Sequence, residues 1–186
     1  MTLILASGSP QRRAILEALG VPFETRAVDV VEGDEGPATV VARENALRKA
    51  LAAAQGGDGE LVLGVDTVVA IELELWGKPP GAEAAAETLR RLSGRTHEVV
   101  SGFALVDSDG AVRAGHETTL VTFRALDEAA IAWYVASGEW EGRAGGYAIQ
   151  GRGGALVRRI EGDYLNVVGL PVAALLDAGL PGLGRP

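Results

Sequence analysis

The stretch LILASGSPQRRAIL, residues 3–16, decides the fold class. LILA is apolar throughout and reads as a buried strand, and the Ser-Gly-Ser-Pro turn after it opens a helix. Ser9 suits the N-cap and Pro10 the first helical position, while Ile15, Leu16 and Leu19 supply an apolar face that Gly20 closes. The same stretch holds an oddity. A helix start already carries partial positive charge and unpaired N–H groups, yet Arg12 and Arg13 add cations there. Two readings stand at this point: a phosphate-bearing anion bound at the turn, or a surface turn with two solvated arginines.

Working outward, strand and helix patterns alternate. FETRAVDV (23–30) alternates like a strand with one wet face, and Pro37 precedes a long helix running to near Gln55. On that helix Val40, Leu47, Leu51 and Ala54 fall on one stripe, the expected buried face. GGDGE (56–60) is a break, and LVLGVDTVVAI (61–71) is so continuously apolar that it reads as a central strand. The loop GKPPG (77–81) leads to a third helix, AEAAAETLRRL (82–92). HEVVSGFALVD (97–107) and AVRAGHETTLVTFRAL (111–126) flank DSDG as a hairpin, and DEAAIAWYVAS (127–137) is a helix. A glycine-rich segment, 138–157, suits tight turns or close backbone approach to a ligand. The strand ALVRRIEG, a short helix near PVAALLDA and the tail LPGLGRP finish the chain. The pattern is that of one α/β domain over residues 1–186.

A chain of 186 residues fills one core, and two ordinary domains are not the default. Its net charge of −8 argues against duplex nucleic acid as a partner, since that needs a broad basic surface. A local basic pocket for one small anion is still allowed. There is no cysteine, and only His97 and His116, so any metal is expected to be oxygen-bound, such as magnesium or manganese. The longest apolar run is broken by Asp66, Glu72 and Glu74, which argues against a membrane span. LILAS runs straight into a turn and helix without the basic region and cleavage site of a signal peptide, so the cytoplasm is the expected location.

Asp66 stands among small and apolar residues in VLGVDTVVAI, where an unpaired carboxylate would be costly. It is either a strand-end acid capping the backbone or a general base or metal ligand at a cleft. Glu32 and Asp29 add carboxylates beyond another strand, beside the more solvated Asp34 and Glu35. Lys78, between Gly and Pro, is a solvated loop lysine or a phosphate ligand. Arg95 follows a helix end and serves its dipole or a ligand, and Gln150 lies among glycines, where its amide reads a base edge or bonds its own loop. Together these side chains suit a metal-bound polyphosphate attacked by water. No P-loop, Rossmann fingerprint or GxSxG elbow occurs.

SGSPQRR, GVDTVV, WGKP, LSGRTHEV, GYAIQGRG and IEGDYLNVVGLP occur in the order found in Maf proteins, and from Leu3 to its last helix the chain resembles that family of nucleoside triphosphate pyrophosphatases. The resemblance implies an α/β fold with a mixed, twisted sheet flanked by helices and a deep cleft, similar to inosine triphosphatase-like folds. It implies hydrolysis between the α and β phosphates, giving a monophosphate and pyrophosphate with Mg2+ or Mn2+. The family's proton acceptor maps onto Asp66, and an acid of its catalytic cluster onto Glu32; these two are also the candidate metal ligands. Arg12 and Lys78 match phosphate-site residues, and Ser7, Ser9, Arg13 and Arg95 complete the expected substrate-binding set.

Base choice in the family goes with three positions, here Gln11, Thr67 and Gln150. Thr67 and Gln150 agree with the branch acting on dTTP and UTP. Gln11 departs, because that branch usually has arginine and the 7-methyl-GTP branch tryptophan. Asn45 stands where the family often has lysine, with Lys49 one turn later on the same helical face, and Arg143 replaces a common lysine. The resemblance therefore implies a dTTP/UTP pyrophosphatase, with a homodimer as the assembly it admits. The alternatives are the same chemistry on another nucleotide, such as 7-methyl-GTP, and a non-catalytic nucleotide-binding regulator of cell division. A positioned base such as Asp66 favours the enzyme.

Overall fold

The longest strands carry the sheet. In the computed structural model, which describes residues 1–54 and 59–182, β3 (Glu60–Ile71) is flanked by β1 (Thr2–Leu5) and β5 (Thr96–Asp107). β2 (Phe23–Thr25) lies outside β1, and β6 (Val112–Phe123) and β7 (Val157–Glu161) lie outside β5, giving the order β2-β1-β3-β5-β6-β7. β1 runs parallel to β2 and β3, whereas β3, β5, β6 and β7 pair antiparallel. The sheet is therefore mixed, as expected. A short β4 (Glu74–Trp76) folds back on the far end of β3. The hairpin turn between them, Glu72–Leu73, takes left-handed φ values of 49° and 73° at both central residues. Sequence reading did not separate β4 from the β3 run.

Among the described residues six α-helices cover the two faces. α2 (Ala38–Ala53) packs on one face, over a layer of Ile4, Ala50, Ala53, Val62 and Ala104. α1 (Pro10–Ala18), α5 (Tyr164–Val168) and α6 (Val172–Asp177) close a cluster containing Leu5, Leu16, Leu63, Phe103 and Leu175. α3 (Ala82–Leu92) and α4 (Glu128–Val135) close a second cluster around Val69, Leu89, Phe123 and Tyr134. Among the described residues no helix is long and apolar enough to cross a membrane.

The contact of α2 with the sheet corrects the expected stripe. Its buried face is Val41, Ala42, Asn45, Ala46, Ala50 and Ala53, whereas Val40 and Leu51 are exposed. The cause lies in the sheet. A Cβ at Gly64 would run into the Ala46 carbonyl oxygen, and one at Gly102 into the Ala42 backbone. These two glycines let helix backbone sit directly on the strands, so the contact surface takes small residues and long side chains fall to the rim.

Two other expectations change. FETRAVDV is a strand only at Phe23–Thr25, because β1, its partner, ends at Leu5. Arg26 then leaves the sheet and binds the Ala53 carbonyl and the Glu60 carboxylate, at 2.7 Å in each case. No sequence pattern announces the short α5. Asp163 caps it through the Leu165 N–H at 2.7 Å, and buried Asn166 staples it across the sheet to the Val99 carbonyl and Thr119 Oγ1, both at 3.0 Å. Gln55 and residues 56–58 of the expected break lie outside the described residues, as does the tail beyond residue 182.

Candidate active site

Neighbouring residues of β3 point to opposite faces of the sheet, so Asp66 meets α2 while Thr67 meets Arg12 of α1. Both open into one cleft of about 950 Å³. Asp66 is buried at 6% exposure. Its Oδ1 accepts from Lys49 Nζ at 2.6 Å and its Oδ2 from Asn45 Nδ2 at 3.1 Å. Lys49 Nζ also lies 2.7 Å from Glu32 Oε1, so one ammonium bridges the two carboxylates and compensates the buried charge. The close seat of α2 on Gly64 and Gly102 brings Asn45 and Lys49 this near the strand.

Asn45 does more than touch Asp66. Its Oδ1 accepts from the Gly33 N–H at 2.8 Å and from Arg48 Nη1 at 2.9 Å, and its Nδ2 donates to the Gly33 carbonyl at 2.9 Å. The side-chain amide is thus fully used. It pins the loop that presents Glu32.

Of the two arginines at the opening turn, Arg12 is not solvated. Its side chain folds under the turn, buried, and donates to Ser7 Oγ at 2.9 Å, Thr67 Oγ1 at 3.1 Å and the Gly169 carbonyl at 2.9 Å. Burial lowers its pKa, and the charges of Asp66 and Glu32 oppose that shift. Three of its five N–H groups are engaged, which leaves two for a ligand. Thr67 Oγ1 also lies 2.9 Å from Ser101 Oγ. Ser9 caps α1, accepting from the Arg12 N–H at 3.5 Å, and its hydroxyl donates to Gln11 Oε1 at 3.2 Å.

Most of the expected residues meet here. Ser7, Ser9, Gln11, Arg12, Glu32, Asp66, Thr67, Lys78 and Gln150 all line the cleft. Arg13 and Arg95 do not. Arg13 is exposed, since the next residue of a helix turns about 100° away from Arg12, and Arg95 pairs with Glu72 at the β3–β4 hairpin. The glycine-rich segment brings Arg143 and Tyr147 to the wall, and β4 brings Trp76. Trp76 Nε1 and Arg143 Nε are buried donors with no acceptor among the described residues. Sequence reading missed Trp76 and Tyr147 as lining residues, and Ser101 and Gly169 as partners of the Thr67–Arg12 pair. A polar Ser101 inside VVSGFALV was the available signal for one of them.

Among the described residues no three His, Cys, Asp or Glu side chains are grouped to hold a metal. Asp66 and Glu32, joined through Lys49, nevertheless supply hard oxygen donors. Magnesium is commonly held by one or two carboxylates with substrate phosphates and water completing its shell. The two carboxylates are of that donor type, and in this structure the Lys49 ammonium lies between them.

A family model described as Maf-like protein matches residues 2–178. The chain belongs to the Maf family. A dTTP/UTP pyrophosphatase of Nitratidesulfovibrio vulgaris is 48% identical over 178 residues, covering 93% of this Maf chain and 84% of its relative. One of Symbiobacterium thermophilum is 47% identical over 173 residues, covering 91% and 88%. A solved structure titled as a nucleoside-triphosphatase, dITP/XTP pyrophosphatase, from Mycobacterium abscessus is similar at a TM-score of 0.46 and 22% identity, covering 68% of this chain and 76% of that one. In this Maf chain Gln11, Thr67 and Gln150, the three positions expected to bear on base choice, line a single cleft with Asp66.

Proposed function

We propose that this chain, acting as one domain over residues 1–186, is a nucleoside triphosphate pyrophosphatase for dTTP and UTP. The observation that carries the reading is a buried carboxylate, Asp66, held by Asn45 and Lys49 beside Glu32 at the floor of a cleft whose wall carries cations. A binding protein has no need of a positioned base. Water attacks the α-phosphorus, its proton passes to an Asp66 oxygen, and the bond from the α-phosphorus to the bridging oxygen breaks. The monophosphate and pyrophosphate leave.

The cleft divides the work. Arg12, caged by Ser7, Thr67 and Gly169, offers its remaining N–H groups to phosphate oxygens, and Lys78 adds a charge from the β4–α3 loop. Arg143 Nε and Trp76 Nε1 supply further donors. Uracil and thymine present an N3–H between two carbonyl oxygens, which a side-chain amide matches with one acceptor and one donor. Gln150 and Gln11 are the amides at the rim, and Gln150 makes no side-chain hydrogen bond among the described residues. Mg2+ or Mn2+, held by Asp66 and Glu32 with the phosphates, would supply charge neutralisation of the leaving group. A cytoplasmic location and a homodimer complete the reading, checked by fractionation and light scattering.

The test is pyrophosphate release from a panel of nucleoside triphosphates including 7-methyl-GTP. Turnover led by dTTP and UTP supports the reading. Turnover led by 7-methyl-GTP or another purine moves the substrate, with Gln11 the first residue to exchange. Tight binding without turnover leaves a nucleotide-binding regulator.

A further inference from the structure

Gln150 lines the cleft, and the backbone on either side of it is gripped from outside. On one side the Ala148 N–H donates to the hydroxyl of buried Tyr134 at 2.9 Å. On the other, Glu139 accepts from the Arg152 N–H at 2.9 Å (Oε2) and 3.2 Å (Oε1), and from the Gly153 N–H at 3.3 Å. Glu139 is itself set in place. Its N–H donates to Ser137 Oγ at 3.1 Å, and that hydroxyl donates to the Tyr134 carbonyl at 2.5 Å. The turn has little slack. Gly151 takes φ of +63°, where a Cβ would stand 3.0 Å from the Glu139 carboxylate, and a Cβ at Gly153 would run into the Ala148 carbonyl oxygen. Glu139 does not line the cleft, so any effect on a ligand passes through this turn.

We propose that Glu139 is a positioning residue for base selection: its carboxylate fixes the Gln150 rim at a depth that admits a single-ring pyrimidine and turns away a fused-ring purine. The inference rests on the reading of the cleft as a dTTP/UTP site. With the triphosphate held at Arg12 and Lys78, the distance from those cations to the rim acts as a ruler for the base. Without the carboxylate, the Arg152 and Gly153 N–H groups turn to water and the rim yields. A pyrimidine then loses its amide partner, and a purine gains room.

The experiment compares kcat and KM for UTP and GTP in wild type, Glu139→Ala, Glu139→Asp and Glu139→Gln, with thermal melting as the check of fold. In the Ala and Asp variants the UTP-to-GTP ratio of kcat/KM should fall about tenfold, mainly through a higher KM for UTP, because a small displacement of a binding group is felt strongly. The Gln variant keeps a carbonyl oxygen for both N–H groups and should stay near wild type. Equal losses on both nucleotides, or an unchanged ratio in the Asp variant, would overturn the proposal. Should the Ala variant fail to fold, the Asp variant decides alone. Wild type that turns over UTP while the variants keep its ratio sinks this inference only; wild type without any turnover sinks the functional reading and this inference with it.

Discussion

Asp66 holds a carboxylate that the fold has taken out of water, and two residues one turn apart on α2 answer for it. Removing Lys49 strands that charge. Lys49→Met should destabilise the fold by roughly 3 kcal/mol, the scale for breaking a buried pair, read by urea unfolding, and Lys49→Arg should recover part of it. Asp66→Asn keeps the shape and removes the proposed proton acceptor. Its turnover should fall by about 10²–10⁴-fold, the usual contribution of a general base, while calorimetry still detects nucleotide binding. Loss of binding together with turnover would assign Asp66 to holding substrate instead.

At the scale of elements, the seat of α2 on the sheet decides where Asn45 and Lys49 stand. Gly102→Ala should push the helix off β5, at about 1–3 kcal/mol for overpacking. Turnover should fall further than stability explains, since the ammonium moves with the helix. A helix displaced without loss of activity would separate the two. On the other side of the sheet, His97 joins β5 to the glycine-rich segment. Its Nε2 lies 2.8 Å from the Tyr147 hydroxyl, and Phe123 packs edge-on at 5.1 Å between ring centroids. Burial pushes the imidazole down to about 4 from its ordinary 6.5. The unfolded chain therefore binds a proton below pH 6.5 that the folded chain refuses until about pH 4. Stability should drop across that window by roughly 3 kcal/mol from this group and then level off. Urea midpoints measured between pH 4 and 7 check it, and His97→Phe should remove this part of the slope.

At the scale of the molecule, what could be read in advance follows from local physics. The strand-turn-helix of LILASGSPQRRAIL, the continuous β3 and the DSDG hairpin are specified by neighbours in sequence, and the structure has all three. The alanine face of α2 escapes local pattern because Gly64 and Gly102, on strands elsewhere in the chain, make it the buried one. Asp66, Arg12 and Gln150 stood out as polar or charged residues in places that argue for a ligand. Arg95 stood out equally and lies outside the cleft, because its partner, Glu72, sits on a hairpin that no periodicity announces. A chain cut after Glu161 lacks both the Asn166 staple and the Gly169 carbonyl, and should show neither cooperative unfolding nor pyrophosphate release.

The cage around the Arg12 guanidinium has one wall made by Gly169, at the end of α5. Ser7 and Thr67, the other walls, leave the ribosome long before it. During synthesis the chain therefore carries Asp66, Lys49 and the start of α1 for most of its length before the Arg12 cage is complete. On the proposed reading, nucleotide hydrolysis should begin only once translation has released the end of α5, and a chain stopped before Gly169 should draw nothing from the cell's triphosphate supply.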